Sequence, residues 1–364
     1  MIDTQVSPSQ ALDWLCGAAF PLWLKHGVDW KNGAFHEELD PDTLAPRVAF
    51  RRLRVAARQV YSFAAAARMG IARADEAVAL GVDFLRHHAR QADGGYATLF
   101  NLSNVPIDPT RDLYDHAFVL LAFAHAGERA AASELMAYIE TQFRHELEGF
   151  HESVPRRLPR RQNPHMHLLE ALLAAAERFA EPGYLDHADA IVDVFATRFF
   201  QPDSSGLAEF YDDRLVPLRE QGRFVVEPGH HHEWVWLLDE HRRVANLFGR
   251  TVRNTWQEST GLMKFAERHG VSTSGMVAAE LWSDGAIRQS ATRVWPHTER
   301  LKAVSRVTPD RQGQALQALF GFFDGVPAGL WRERWVGDFV TGDASPASSL
   351  YHITCAIADI QPAS

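Results

Sequence analysis

Asn32-Gly33-Ala34-Phe35-His36 is the first of six short, mostly glycine-bounded segments that recur along this chain. Gly94-Gly95-Tyr96, Gly149-Phe150-His151, Ser205-Gly206-Leu207, Ser274-Gly275-Met276 and Leu330-Trp331-Arg332 follow, the last without its glycine. Anchored on Gly33, Gly95, Gly149, Gly206, Gly275 and Trp331, the spacings are 62, 54, 57, 69 and 56 residues. Such segments read as turns or small hairpins. A period in this range signals a repeat architecture.

Helical patterns fill the intervals, and they come in pairs. They run Ser9 to His26, Arg47 to Met69, Asp75 to Arg90, Arg111 to Ala126, Ala130 to His145 and Pro164 to Phe179. The second half repeats the scheme with Gly183 to Phe199, His230 to Leu247, Thr251 to His269, Gln289 to Val307, Gly313 to Phe323 and Ala347 to Ile360. Six helical hairpins can stack as an open solenoid or close into a ring. The hairpin insertions favour closure: an all-α (α/α)6 barrel of six inner and six outer helices, with short β-hairpins at the cavity end and residues 1–364 as one catalytic domain. The inner helices carry Arg58, Tyr114, His167, His230, Trp295 and His352, spaced 56, 53, 63, 65 and 57 apart. In a ring, equivalent positions on alternate helices face one central cavity.

Composition narrows the function. The chain has 364 residues, 46% of them hydrophobic, and a net charge of −9. No basic stripe suits nucleic acid. Arg156-Arg157-Leu158-Pro159-Arg160-Arg161 is the local exception and reads as a solvated loop, or more weakly as a phosphate or sulfonate site. No apolar run is long enough to span a membrane, and Met1-Ile2-Asp3-Thr4 lacks the basic start of a secretory signal. Cys16 and Cys355 give neither a disulfide framework nor a metal spacing. A reduced cytoplasmic setting is expected, and the oligomeric state is left open. Phosphate-loop, dinucleotide and nucleophile-elbow motifs are absent.

The densest chemistry is Glu227-Pro228-Gly229-His230-His231-His232-Glu233-Trp234. Residues three apart share a helix face, so His230 pairs with Glu233, while His231 and His232 turn towards the surface or a supporting position. The two-histidine zinc helix signature is missing, and acid/base use is favoured over a metal. In Asn163-Pro164-His165-Met166-His167-Leu168-Leu169-Glu170, Asn163 reads as an N-cap, and His167 repeats the His-x-x-Glu arrangement with Glu170. Arg58 sits in an apolar helix and needs a carboxylate or a ligand's oxygens. Tyr114 and Trp295 offer stacking faces, and Glu299 can accept hydrogen bonds from hydroxyls, as a sugar pocket requires.

Together these segments, with Ala57-Arg58-Gln59-Val60-Tyr61, Asp93-Gly94-Gly95-Tyr96 and Leu350-Tyr351-His352, resemble the N-acylglucosamine 2-epimerase superfamily over nearly the whole chain. The resemblance implies an (α/α)6 barrel that interconverts sugars without a metal or redox cofactor. Pro-Gly-His-x-x-Glu-Trp and the terminal Leu-Tyr-His are most similar to its mannose isomerase branch. It implies His230 and His352 as general acid/base residues, Arg58 as the substrate arginine and His167, with His165 as the alternative register, as the third histidine. It implies D-mannose to D-fructose isomerisation, with D-lyxose to D-xylulose beside it, on a monosaccharide substrate. Members acting on sulfoquinovose carry an extra arginine ahead of the Pro-Gly-His motif; here Glu220 stands there, between Arg219 and Arg223. A sugar 2-epimerase is the near alternative. A glycoside hydrolase drawing on Asp115, Glu233 and Glu299, or a non-catalytic sugar-binding toroid, represents other classes.

Overall fold

The structure, a computed structural model, describes residues 6–336, 339–341 and 344–361; Met1 to Thr4 lie outside them. Twelve helices alternate between an inner and an outer ring. The inner helices are Leu53–Arg68, Leu113–Ala126, Gln162–Phe179, Pro228–Leu247, Val294–Val307 and Ala347–Asp359. Each packs on the next, and the last packs on the first. The outer helices begin at Pro8, Ala74, Arg129, Tyr184, Trp256 and Gln312. Several pass through a π-helical turn, as at Leu85–Ala89 and Phe195–Phe199. The inner helices are buried almost all round, as a wall sandwiched between bore and outer ring must be.

The strands explain why the ring closes. A short strand leads into each inner helix and pairs antiparallel with a strand from the following unit. Phe50–Arg52 meets Leu99–Asn101, Arg111–Asp112 meets Ser153–Val154, and Arg160–Arg161 meets Phe210–Tyr211. Val225–Val226 meets Glu280–Trp282, and Thr292–Arg293 meets Arg334–Val336. Finally Ser345–Pro346 pairs with Glu38–Leu39 from the first unit. That last pairing excludes the open solenoid.

Two repeated devices fasten the hairpins to the inner helices. The fourth residue of four inner helices is a fully buried histidine: His116, His165, His231 and His297. Each Nε2 accepts the backbone N–H of a hairpin residue, from Tyr96, Phe150, Leu207 and Val277, at 3.1, 3.0, 3.0 and 3.1 Å. Each Nδ1 faces a carbonyl oxygen, of Asp112, Arg161, Leu262 and Arg293. Only a neutral ring with its proton on Nδ1 satisfies both ends. His231 is therefore a buried fastener and not a surface group. His232 is equally buried, with Nε2 3.1 Å from Glu267.

The second device is a glutamate–arginine clasp at the helix N-caps. Buried Glu37 accepts the backbone N–H of the N-cap Arg52 at 2.6 Å and its Nε at 2.6 Å. Glu152 does the same for the N-cap Arg161, at 2.7 and 2.7 Å, and Glu333 accepts from the side chain of the N-cap Arg293 at 3.1 and 2.8 Å. The second and sixth units, with Asp112 and Pro346 as N-caps, lack the pair, and the fourth keeps only its glutamate. Glu209 accepts the backbone N–H of its N-cap at 3.2 Å, but that N-cap is Glu227. The basic run at 156–161 belongs to the same scaffolding: Arg156 pairs with Glu146, Arg157 with Asp112 and Arg161 with Glu152.

Candidate active site

The inner helices open their N-terminal ends onto a pocket of about 210 Å³. Two layers build it, one helical turn apart. Tyr114, Asn163, Trp295 and Ser348, each the second residue of its helix, form the upper layer. Arg58, His167, Glu233 and His352, each the sixth, form the floor. His230 is the third residue of its helix, and Glu227 and Arg293 enter from N-caps. The six residues read as equivalent from spacing are thus brought together but are not equivalent by register. Glu299 is a correction of another kind: it is fully buried and does not line the pocket. Asp115 is also buried elsewhere, against Arg54 at 2.6 Å. Of the three carboxylates weighed for hydrolysis, Glu233 alone reaches the pocket. A larger cavity of about 370 Å³ opens at the opposite end of the bore, but its carboxylates Glu177, Glu240 and Asp359 are taken up by Arg243 and Arg306, and Glu170 by His167 and Tyr351.

The two histidines flank one ring. The centroid of Trp295 lies 4.9 Å from that of His230 and 6.0 Å from that of His352. Gly229 makes this possible: a Cβ on it would sit 2.6 Å from the Trp295 ring. His230 Nδ1 lies 2.8 Å from Glu209 Oε2 and 3.9 Å from Glu227 Oε2. Burial favours the neutral ring, but Glu209 and Glu227 outweigh it and push the His230 pKa up to about 10. Glu209, not Glu233, holds this imidazole. Asn163 Nδ2 lies 3.0 Å from Nε2; an imidazolium carries N–H on both nitrogens, so protonation of His230 requires the amide to turn its oxygen to Nε2. Asn163 lies within the helix; the N-cap is Arg161.

His352 has the opposite bias. Its Nδ1 lies 2.9 Å from Glu299 Oε1, yet burial dominates and lowers its pKa to about 4. The neutral ring therefore donates Nδ1–H to Glu299, and Nε2 is free to accept. His167 is likewise neutral, lowered by burial to about 4, with Nδ1 3.1 Å from Glu170 Oε2. His165 is one of the fasteners, so His167 is the histidine on the cavity. Arg58 has no carboxylate among the described residues. Its Nη2 donates to the Tyr114 hydroxyl at 2.6 Å, and its guanidinium lies 4.1 Å over Phe118. Glu233 has no hydrogen-bond partner on either oxygen, and burial raises its pKa well above the usual carboxyl range.

Glu209, Glu227 and Arg293 escaped the sequence reading because they sit on hairpins and N-caps, not on inner helix faces. A signal existed: Glu152 and Glu209 both stand three residues after their segment glycine, and Glu37 stands four after Gly33. Arg219, Glu220 and Arg223 lie outside the pocket, Arg223 facing Asp284 at 3.6 Å. Ligand atoms of Glu209, Glu227 and His230, of His167, Glu170 and Glu233, and of His145, Glu146 and His151 lie within 4.8 Å of one another, close enough to share an ion. In the last set His145 Nδ1 accepts the Leu147 N–H, so its proton sits on Nε2, the wrong tautomer for ligation there.

Residues 33–356 match the family model for N-acylglucosamine 2-epimerase (GlcNAc 2-epimerase). The chain is 36% identical over 391 residues to a mannose-6-phosphate isomerase of Rhizobium meliloti, covering 99% of this chain and 98% of that protein. It is 32% identical to a D-mannose isomerase of Thermobifida fusca over 40% of each chain. A solved D-mannose isomerase superimposes with a TM-score of 0.84 at 20% identity, covering 97% of both chains. A cellobiose 2-epimerase from Bacillus thermoamylovorans does so with the same score and identity, covering 97% of this chain and 98% of that one. These likenesses place the fold among (α/α)6-barrel enzymes, and among the described residues no helix is long and apolar enough to cross a membrane. The chain belongs to the N-acylglucosamine 2-epimerase family.

Proposed function

We propose that this protein isomerises D-mannose to D-fructose, with D-lyxose to D-xylulose as a side activity. One observation carries the reading. A single small pocket holds two imidazoles, each on its own carboxylate: His230 Nδ1 lies 2.8 Å from Glu209, which favours the acid form, and His352 Nδ1 lies 2.9 Å from Glu299, where burial favours the neutral base. His230 gives a proton to the ring oxygen and takes one back from the anomeric hydroxyl, and the sugar opens. His352 Nε2 then takes the C2 proton, giving a cis-enediolate. The same nitrogen returns a proton to C1 as the O2 proton passes to O1, and the C2 oxygen becomes the ketose carbonyl. Arg58 and His167 hydrogen-bond the charge developing on O1 and O2. Glu233, unpartnered in the floor, faces the sugar hydroxyls, and Tyr114 and Trp295 cover its C–H faces.

The same pair of states also suits a 2-epimerase, in which His352 removes the C2 proton and His230 delivers one to the opposite face. Turnover of D-mannose in deuterium oxide separates the two. Fructose carrying deuterium at C1 supports the isomerase, and glucose carrying deuterium at C2 replaces it with the epimerase. The Rhizobium relative is named for a phosphorylated hexose. Of the two arginines in this pocket, Arg293 is already clasped by Glu333 and Arg58 is committed to the charge on O1 and O2, while Glu227 and Glu233 add carboxyl groups that no arginine holds among the described residues. An uncharged hexose fits that balance better than a phosphate dianion. Competition between D-mannose and D-mannose 6-phosphate tests this choice.

A further inference from the structure

Beneath the pocket floor lies an ammonium that the chemistry above does not use. Lys302 is fully buried, three residues beyond Glu299 in the same helix. Its Nζ lies 2.6 Å from Glu299 Oε2, 3.8 Å from Cys355 Sγ and 3.8 Å above the Trp236 ring. Glu299 Oε1 in turn receives the Nδ1–H of His352 at 2.9 Å. A continuous chain therefore runs from a buried cation, through one carboxylate, to an imidazole facing the substrate.

We propose that Lys302 is a positioning residue for the reaction: by keeping Glu299 ionised, it fixes the His352 tautomer that leaves Nε2 unprotonated towards the sugar. This rests on His352 acting as the base. An ionised Glu299 can only accept, so the His352 proton must lie on Nδ1. A protonated Glu299 becomes a donor to Nδ1, the ring proton moves to Nε2, and the base is lost. Burial alone would favour that protonated form. The neighbouring groups do not prevent it. Facing Glu299 and Lys302 from the other inner helices are Arg58, Glu170, His232, Glu233, His352 and Cys355, with Tyr61 and Tyr351 beside them. Glu170 is engaged with His167 and Tyr351, and Arg58 with Tyr114. The carboxylates among them oppose ionisation of Glu299, and Lys302 is the cation in direct contact with it.

The test is the pH dependence of Lys302→Met, assayed on the hexose that the wild type turns over. At pH 6.5 kcat should fall about 10²-fold, the share of one general base, with KM within about threefold. It should then recover at least tenfold by pH 9, as Glu299 loses its proton, while the wild type stays flat. The double variant Glu299→Gln/Lys302→Met removes both charges together and should lose that rise. A K302M profile that parallels the wild type at a constant offset overturns the proposal, as does a double variant that keeps the rise. Nitrogen-15 spectra of histidine in the unaltered protein give a reading independent of whether the variants fold. His352 must show a protonated Nδ1 and a bare Nε2 between pH 6 and 8, and the opposite tautomer overturns the proposal. Loss of the base role itself would appear instead as full turnover by His352→Ala.

Discussion

Glu209 Oε2 lies 2.8 Å from His230 Nδ1 although 21 residues separate the two in sequence. This contact sets the charge of the ring. Glu209→Gln keeps the shape and removes the charge, so the His230 pKa should fall towards its ordinary value of about 6.5. Activity of the variant should then decline as pH rises through neutrality, the reverse of the Lys302→Met trend. A kcat–pH profile measured from pH 5 to 9 checks this.

His230→Ala and His352→Ala should each lower kcat by about 10²–10⁴-fold. Both side chains border the pocket and neither is one of the hairpin fasteners, so circular dichroism and thermal melting should change little. Near-normal turnover by either variant would refute the two-histidine assignment.

Gly229→Ala places a methyl group 2.6 Å from Trp295, the ring between the two histidines. The ring must shift. Overpacking of this kind costs about 1–3 kcal/mol, and a displacement near 1 Å costs about 10²-fold in rate. Loss of kcat/KM should therefore exceed what the drop in melting temperature suggests, and paired calorimetry and kinetics measure both.

The four buried fasteners predict the acid response. Burial lowers His116 to about 4, and His165, His231 and His297 to about 3, against 6.5 for a free ring. The unfolded chain therefore takes up protons first as pH falls. Their stabilisation is intact above pH 6.5 and drains away between 6.5 and the folded values. Each group steepens the loss by up to about 1.4 kcal/mol per pH unit. Urea unfolding at pH 7, 6 and 5 should show a progressive fall in midpoint, and His297→Gln should flatten it.

Glu227→Arg should rebuild in the fourth unit the clasp seen at Arg52, Arg161 and Arg293. Glu209 would turn to the new guanidinium and release His230. The expected result is a protein that melts no lower than the wild type but turns over about 10²-fold more slowly. A crystal structure of the variant would show whether Glu209 has moved.

Much of this architecture was legible because the repeat imposes a spacing on the sequence. Twelve helices, their pairing and the ring of polar residues all follow from it. What the spacing could not supply was register within a turn. Tyr114 and His167 lie four places apart in their helices, yet both face the pocket, because the bore is deep enough for two layers. Helical neighbourhood also misassigned Glu233 to His230. The His230 ring swings towards the hairpin, where a carboxylate remote in sequence holds it more closely than any on its own helix. Burial of His231 and His232 escaped notice for a related reason. A helix walled on both sides has no surface face for a polar residue to seek.

The break in the clasp pattern at Glu227 carries a wider lesson. Three of the six units use the glutamate–arginine pair as masonry, and among the three without it the fourth still places a glutamate at its N-cap backbone. There, one change of sign turns the same carboxylate from a fastening into the tuner of an acid. Aligning this protein against itself shows one unit that keeps the hairpin glutamate after its arginine is gone, and there the carboxylate meets an imidazole.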